Sequence, residues 1–277
     1  MMLSCNRSQS GFTLIEAVMV IVITGILAVL ASSFAAPLNG YFEALDRAEL
    51  SDAADTALRR MARELRTALP NSVRVSDSFI EFLPTTTGGR YRKEQDCSAA
   101  CAGDILDFVA ADTSFDVIGA LPSAPVAGQE LVVYNTTPAS AYAGANVVAL
   151  TSTVGATCTL STTRICFSGG MQFLFESPGN RFQIISGPVT FACIGNTLWR
   201  YSGYAKQAAQ PTDITIVPLS AATSIARLAT GVNCATSSFV YNAGVTQRAD
   251  LVVMRLTLSN NSDSVTLLHQ VHVQNVP

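Results

Sequence analysis

Three groups of residues in this chain are of types that could do chemistry: one acid in an apolar run, a set of cysteines, and two histidines near the C-terminal end. Glu16 is the only charged side chain between Phe12 and Ala36. A carboxylate at membrane depth costs about 2.5–3.5 kcal/mol on insertion scales and seeks a cation. Cys97 and Cys101 are close in sequence, but no matching pair follows at zinc-site spacing and the histidines lie far away, so no metal is expected. His269 and His272 would point to opposite faces of a strand, one exposed and one half-buried, and could not act together. There is no phosphate loop, no nucleophile elbow and no Ser/His/Asp set at useful spacing. The expectation is a protein without catalysis and without a cofactor.

The element that holds Glu16 is an apolar stretch from Phe12 to Ala36, interrupted only by Thr13, Thr24, Ser32 and Ser33. As helix at ~1.5 Å per residue it is long enough to cross a hydrocarbon core of ~30 Å. A secretory signal peptide has a shorter apolar core, no acid within it and a small-x-small cleavage site, of which Ala31-Ser32-Ser33 is a poor version. The leader before Gly11 carries Arg7, and the bulk of the chain follows the span. The positive-inside rule therefore puts the leader in the cytoplasm and the residues after about Leu38 outside it.

Gly11-Phe12-Thr13-Leu14-Ile15-Glu16, followed by this apolar run, resembles the class III signal of type IV pilins and pseudopilins. The resemblance implies cleavage between Gly11 and Phe12 by a prepilin peptidase, N-methylation of Phe12 and an assembly role for Glu16. The new amino group of Phe12 on a neighbouring subunit would supply the cation that Glu16 lacks. It further implies an inner-membrane protein with a single span and a periplasmic head, which an assembly platform moves into a surface filament beside other pilins. Of the seven cysteines, Cys5 falls in the leader. The mature chain keeps Cys97, Cys101, Cys158, Cys166, Cys193 and Cys234, an even set that favours disulfides in an oxidising periplasm. Many connectivities are open; proximity alone suggests Cys97–Cys101 and Cys158–Cys166, leaving Cys193–Cys234.

The expected fold is α+β, a long N-terminal helix packed on an antiparallel β-rich head. Its parts are a leader (1–11), a membrane half (12–36), an amphipathic half (37–69) and a head (70–277). Leu38, Tyr41, Phe42, Leu45, Leu58, Met61, Leu65 and Leu69 recur at steps of three and four and mark one packing face. Wholly helical, residues 12–69 would span about 87 Å, with a bend or unwound segment expected near Gly25 or Pro37 and an end at Pro70. Acids gather from Glu43 to Asp55 and arginines from Arg59 to Arg66. Intrahelical pairs explain this arrangement, and so does a charge register between staggered helices.

From Ser78 onward short β-branched or aromatic runs alternate with Gly, Pro, Ser, Thr and Asn. Strands are expected at Phe79–Leu83, Ile105–Val109, Glu130–Tyr134, Val147–Leu150, Met171–Phe175, Phe182–Ile185 and Val189–Cys193. A hairpin of Leu251–Leu258 with Ser264–Val273 is expected around Asn260-Asn261-Ser262-Asp263. The whole would form a twisted sheet on the helix. The stretches 85–103 and 207–243 read as loops.

Net charge is −3 over 277 residues, of which 49% are hydrophobic and 13% charged, so a sizeable core is affordable and a nucleic-acid partner is not expected. Arg90, Arg92 and Lys93 form the one local basic cluster and are answered by Glu94 and Asp96. Segments 40–75, 187–204 and 269–273 are similar to minor pilins of the mannose-sensitive haemagglutinin (MSHA) pilus, MshO type. That similarity implies a low-abundance subunit of pilus initiation, assembly or tip. Two rivals share much of the same signal: a type II secretion pseudopilin, and a filament-tip adhesin using Trp199, Tyr201 and Tyr204.

Overall fold

The computed structural model describes residues 11–98, 101–155, 158–243, 250–260 and 263–274, without the side chains of 33–39 and 42. Cys5, Arg7, the Leu38 and Phe42 side chains and the centre of the 260–263 turn therefore lie outside the described residues. The chain divides into two compact units, 1–49 and 50–277.

Helix α1 runs Leu14–Leu65. Its first stretch, Leu14–Ser32, has a mean hydropathy of 2.7 and is long and apolar enough to cross a membrane. The helix is unbroken through Gly25 and Pro37, so the expected unwound segment is not found there. Tyr41 and Leu45 are exposed, and burial on the helix begins near Leu50 and Ala54. From there Ala57, Leu58, Met61, Ala62 and Leu65 form the packing face, the small alanines letting strands approach between the larger side chains. The helix stops before Pro70 because residues 67–69 leave it to pair with another segment. The Leu69 N–H donates to the Leu83 carbonyl (2.7 Å) and the Thr85 N–H to the Thr67 carbonyl (2.8 Å), while the residue before a proline avoids helical geometry.

The strands are β1 (Arg74–Ser76), β2 (Phe79–Phe82), β3 (Thr85–Tyr91), β4 (Asp112–Ile118), β5 (Glu130–Val133), β6 (Val147–Ala149), β7 (Thr153–Val154) and β8 (Cys158–Thr159). They continue as β9 (Arg164–Met171), β10 (Arg181–Ile185), β11 (Val189–Ile194), β12 (Thr197–Ser202), β13 (Ser224–Thr230), β14 (Ser238–Asn242), β15 (Asp250–Ser259) and β16 (Ser264–Val273). A short helix α2, Pro138–Ala143, is capped by the Thr137 hydroxyl and ends at Gly144 in the left-handed region. Rather than one twisted sheet, the head holds a five-stranded sheet β1-β2-β11-β12-β13, a six-stranded sheet β6-β5-β10-β3-β4-β9, a three-stranded sheet β14-β15-β16 and a ribbon β7-β8. The β11–β12 turn shows why sequence fixes register locally. Gly195 and Asn196 both have positive φ (57° and 60°), as a two-residue hairpin turn matched to strand twist requires.

Two main cores result. One joins the α1 face to the five- and three-stranded sheets through Phe82, Phe191, Leu198, Met254 and Leu256. The other is aromatic and lies on the six-stranded sheet, where Phe115 meets Phe182 edge-on at 5.1 Å and Tyr91 at 6.3 Å.

Several sequence expectations are corrected. Residues 85–91 form a central strand: Gly88 and Gly89 there serve close packing, since a Cβ on Gly88 would sit 2.9 Å from the Phe182 carbonyl oxygen. The 207–243 stretch contains β13 and β14, whose Ser, Ala and Thr content hides an exposed edge position. Conversely, Ile105–Val109 is not a strand, because the Asp107 carboxylate accepts the N–H groups of Val109 (2.6 Å) and Ala110 (3.2 Å) and turns the chain. Residues 172–175 also leave the ladder, the Gln172 amide donating to the Phe108 and Val109 carbonyls. In β15, Thr257 shares the outer face with Arg255 yet is largely covered there, its hydroxyl bonded to that of Thr266 across the hairpin (2.9 Å).

Candidate functional site

Gly11, Phe12 and Thr13 precede α1 and are exposed. Thr13 opens the helix: its carbonyl accepts the Glu16 N–H at 3.1 Å and its hydroxyl at 3.4 Å. Glu16 thus falls in the first turn, where helix-dipole attraction favours an acid. All side chains from Phe12 to Ser32 are exposed, including Ile15, Met19 and Ile26. The hydroxyl groups among them are satisfied within the helix: Thr24 donates to the Val20 carbonyl (2.7 Å) and Ser32 to the Val29 carbonyl (2.8 Å). Such back-bonding is what a lipid-facing segment needs. Glu16 is the one charged group on this surface, so any cation that answers it must come from elsewhere.

A match to the prokaryotic N-terminal methylation motif covers residues 6–32. The match supports a type IV pilin-like prepilin. No curated protein and no solved structure matches the chain. The prepilin-type N terminus coincides with the exposed apolar helix and with Glu16 at its start.

Among the described residues the six cysteines lie in three pairs, all in the head. Cys193 on β11 pairs with Cys234, 41 positions later, within the core under α1. Cys158 pairs with Cys166 across β8 and β9 (Cα–Cα 6.0 Å), and Cys97 pairs with Cys101 on an exposed loop closed by backbone bonds between Asp96 and Ala102. Among the described residues, no cluster of His, Cys, Asp and Glu is arranged to hold a metal. His269 is half-buried and His272 exposed, on opposite faces of β16.

On the helix, Asp55 bonds Arg59 (2.6 Å), Arg60 approaches Glu64 (3.6 Å), and Glu64 also takes Arg200 of β12 (2.8 Å). Local pairing therefore accounts for part of the charge segregation, while Arg63 and Arg66 are exposed. Tyr201, Tyr204 and Leu219 are buried in a small core, against which the half-buried Trp199 packs.

A polar cluster in the head was not foreseen from sequence. The fully buried Glu81 carboxylate accepts Arg74 Nε at 2.6 Å and the Tyr204 hydroxyl at 2.9 Å, and Tyr204 also meets Thr190. Arg74 continues to the carbonyls of Ala208 (2.6 Å), Gln207 (2.9 Å) and Ala209 (3.3 Å), and its Cζ lies 3.5 Å from the Tyr142 ring centroid. Burial raises the Glu81 carboxyl above its ordinary 4.5, with Arg74 acting in the opposite direction. The cluster ties β1, β2 and β11 to the 204–209 segment, whose continuation to Pro218 lines an open cleft of about 440 Å³. Its only sequence signal is Glu81 between apolar neighbours in Phe79-Ile80-Glu81-Phe82-Leu83.

Proposed function

We propose that this chain is a minor pilin of an MSHA-like type IV pilus. Prepilin peptidase cleaves it between Gly11 and Phe12, and Phe12 is N-methylated. The mature chain waits in the inner membrane with its head in the periplasm. The assembly platform then transfers it into the filament, where Glu16 of one subunit meets the Phe12 amine of another. The observation that carries this reading is the coincidence of the methylation motif at residues 6–32 with a helical stretch, Leu14–Ser32, that is apolar on every side and bears a single acid. That surface must be covered by lipid or by the helices of other subunits. The resemblance of segments 40–75, 187–204 and 269–273 to MSHA minor pilins supports the finer assignment.

Deleting the gene and measuring the major pilin in sheared surface fractions, beside secretion of a type II substrate, tests the proposal. Filaments should fall sharply while secretion continues. Intact filaments with failed secretion would make the chain a pseudopilin, and intact filaments with intact secretion would remove it from assembly altogether.

A further inference from the structure

The three-stranded sheet ends in an edge strand, β16, that lacks the devices closing the other edges. Exposed edges are ordinarily blunted by shortness, charge, bulges or glycine. Here β1 and β6 have three residues each and β14 five. β13 carries Arg227 and a register shift, and β9 carries Arg164, two positive-φ glycines and a register shift. By contrast β16 has ten residues, pairs with β15 without a register break, and contains no Gly, Pro, Lys, Arg, Asp or Glu. Among the described residues, β15 is its only strand partner. Its outer backbone N–H and C=O groups therefore suit a further extended strand.

The side chains indicate which strand. Ser264, Thr266, Leu268, Gln270 and His272 are exposed, with Leu268 at 61%, while Val265, Leu267 and His269 on the other face are only half-covered. Reflected about Leu268, three of the four flanking pairs match in kind, Val265 with Val271, Thr266 with Gln270 and Ser264 with His272, while Leu267 meets His269. A two-fold axis needs this self-complementarity, and the absence of carboxylates and ammonium groups removes the like-charge repulsion that would oppose it.

We propose that β16 pairs antiparallel with β16 of a second copy of this chain, in the register that sets Leu268 opposite its counterpart. The half-covered Val265 then lies beside Val271 of the other copy, and the inner face of the edge closes. This inference concerns the head alone and does not rest on the minor-pilin reading.

Directly opposed residues have Cα atoms about 4.5–5.5 Å apart, within disulfide reach. In the full chain in detergent, with Cys5→Ser removing the leader thiol, Leu268→Cys should yield a covalent dimer on mild oxidation. Thr266→Cys and Gln270→Cys should each stay monomeric alone and link to each other when mixed. Val240→Cys, exposed on the opposite edge strand, should not link. Leu268→Lys, at an exposed position that leaves the core intact, should lower the association constant at least tenfold with an unchanged circular dichroism spectrum. Undiminished dimers in Leu268→Lys, equal linking at 268 and 240, or capture by Leu268→Cys of a different protein alone would each overturn the proposal.

Discussion

Replacing Arg74 with Met tests the logic of the head most sharply. The substitution keeps an unbranched side chain beside Tyr142 but leaves the Glu81 carboxylate, fully buried on β2, with only the Tyr204 hydroxyl as a donor. Removing one member of a buried ion pair costs about 3–5 kcal/mol, because the other charge stays desolvated. For a unit of this size each kcal/mol moves the melting temperature by about 2–4 °C, so a fall of roughly 6–20 °C is expected. The pH dependence carries the mechanism. The folded-state pKa of Glu81 is already raised above 4.5 by burial, so its contribution to stability is fully present below that value and is lost as pH rises through the folded pKa. Without Arg74 the folded pKa rises further, and the deficit of the variant must grow as pH rises above the ordinary carboxylate value of 4.5. Adding Glu81→Gln, which removes the charge and keeps an acceptor for Tyr204, should recover about 1–3 kcal/mol of the loss. Thermal and denaturant unfolding of the full chain in detergent, followed by circular dichroism, gives all three numbers. A loss under about 1 kcal/mol, a deficit independent of pH, or a double variant no better than the single would refute the reasoning.

Three further outcomes are expected. Changing Cys193 and Cys234 together to Ala should cost about 2–5 kcal/mol, since that bridge closes a long loop inside the core, whereas the same change at the exposed Cys97–Cys101 pair should cost far less by the same unfolding assay. Burial raises the hydroxyl pKa of Tyr91, Tyr142, Tyr201, Tyr204 and Tyr241 above 10.0, with Asp250 adding to the effect at Tyr241. Their contribution is present below pH 10 and lost as pH rises through the folded values, so ultraviolet titration should show these tyrosines ionising late, together with unfolding. Glu16→Ala should leave the chain in the membrane fraction and remove it from sheared filaments; normal incorporation would end the pairing of Glu16 with the Phe12 amine.

The apolar N-terminal helix and the β15–β16 hairpin were legible because their patterns are purely local: an apolar run with one acid, and an alternation of apolar and polar residues around Asn260 and Asp263. The same holds for the core-facing Leu58, Met61 and Leu65. Strand β3 was hidden because its reasons are tertiary. Its Thr-Thr-Thr-Gly-Gly reads as a loop until Phe182 is brought close enough to exclude any side chain at 88. Ile105–Val109 misled in the opposite sense, an apolar run overruled by the short-range turn chemistry of Asp107. The Arg74–Glu81–Tyr204 cluster bonds Glu81 to a residue 123 positions away, a separation that leaves no periodic trace. At the N terminus, by contrast, the motif and the position of Glu16 are both local, and both could be read without a fold.

The most direct measurement is the mass of the N-terminal peptide of the chain recovered from membranes of cells with and without an active prepilin peptidase. The account predicts a chain beginning at Phe12 with one added methyl group when the peptidase is present, and an uncleaved leader when it is absent. A chain beginning after Ser33, or one still carrying Met1 beside the active enzyme, would contradict it.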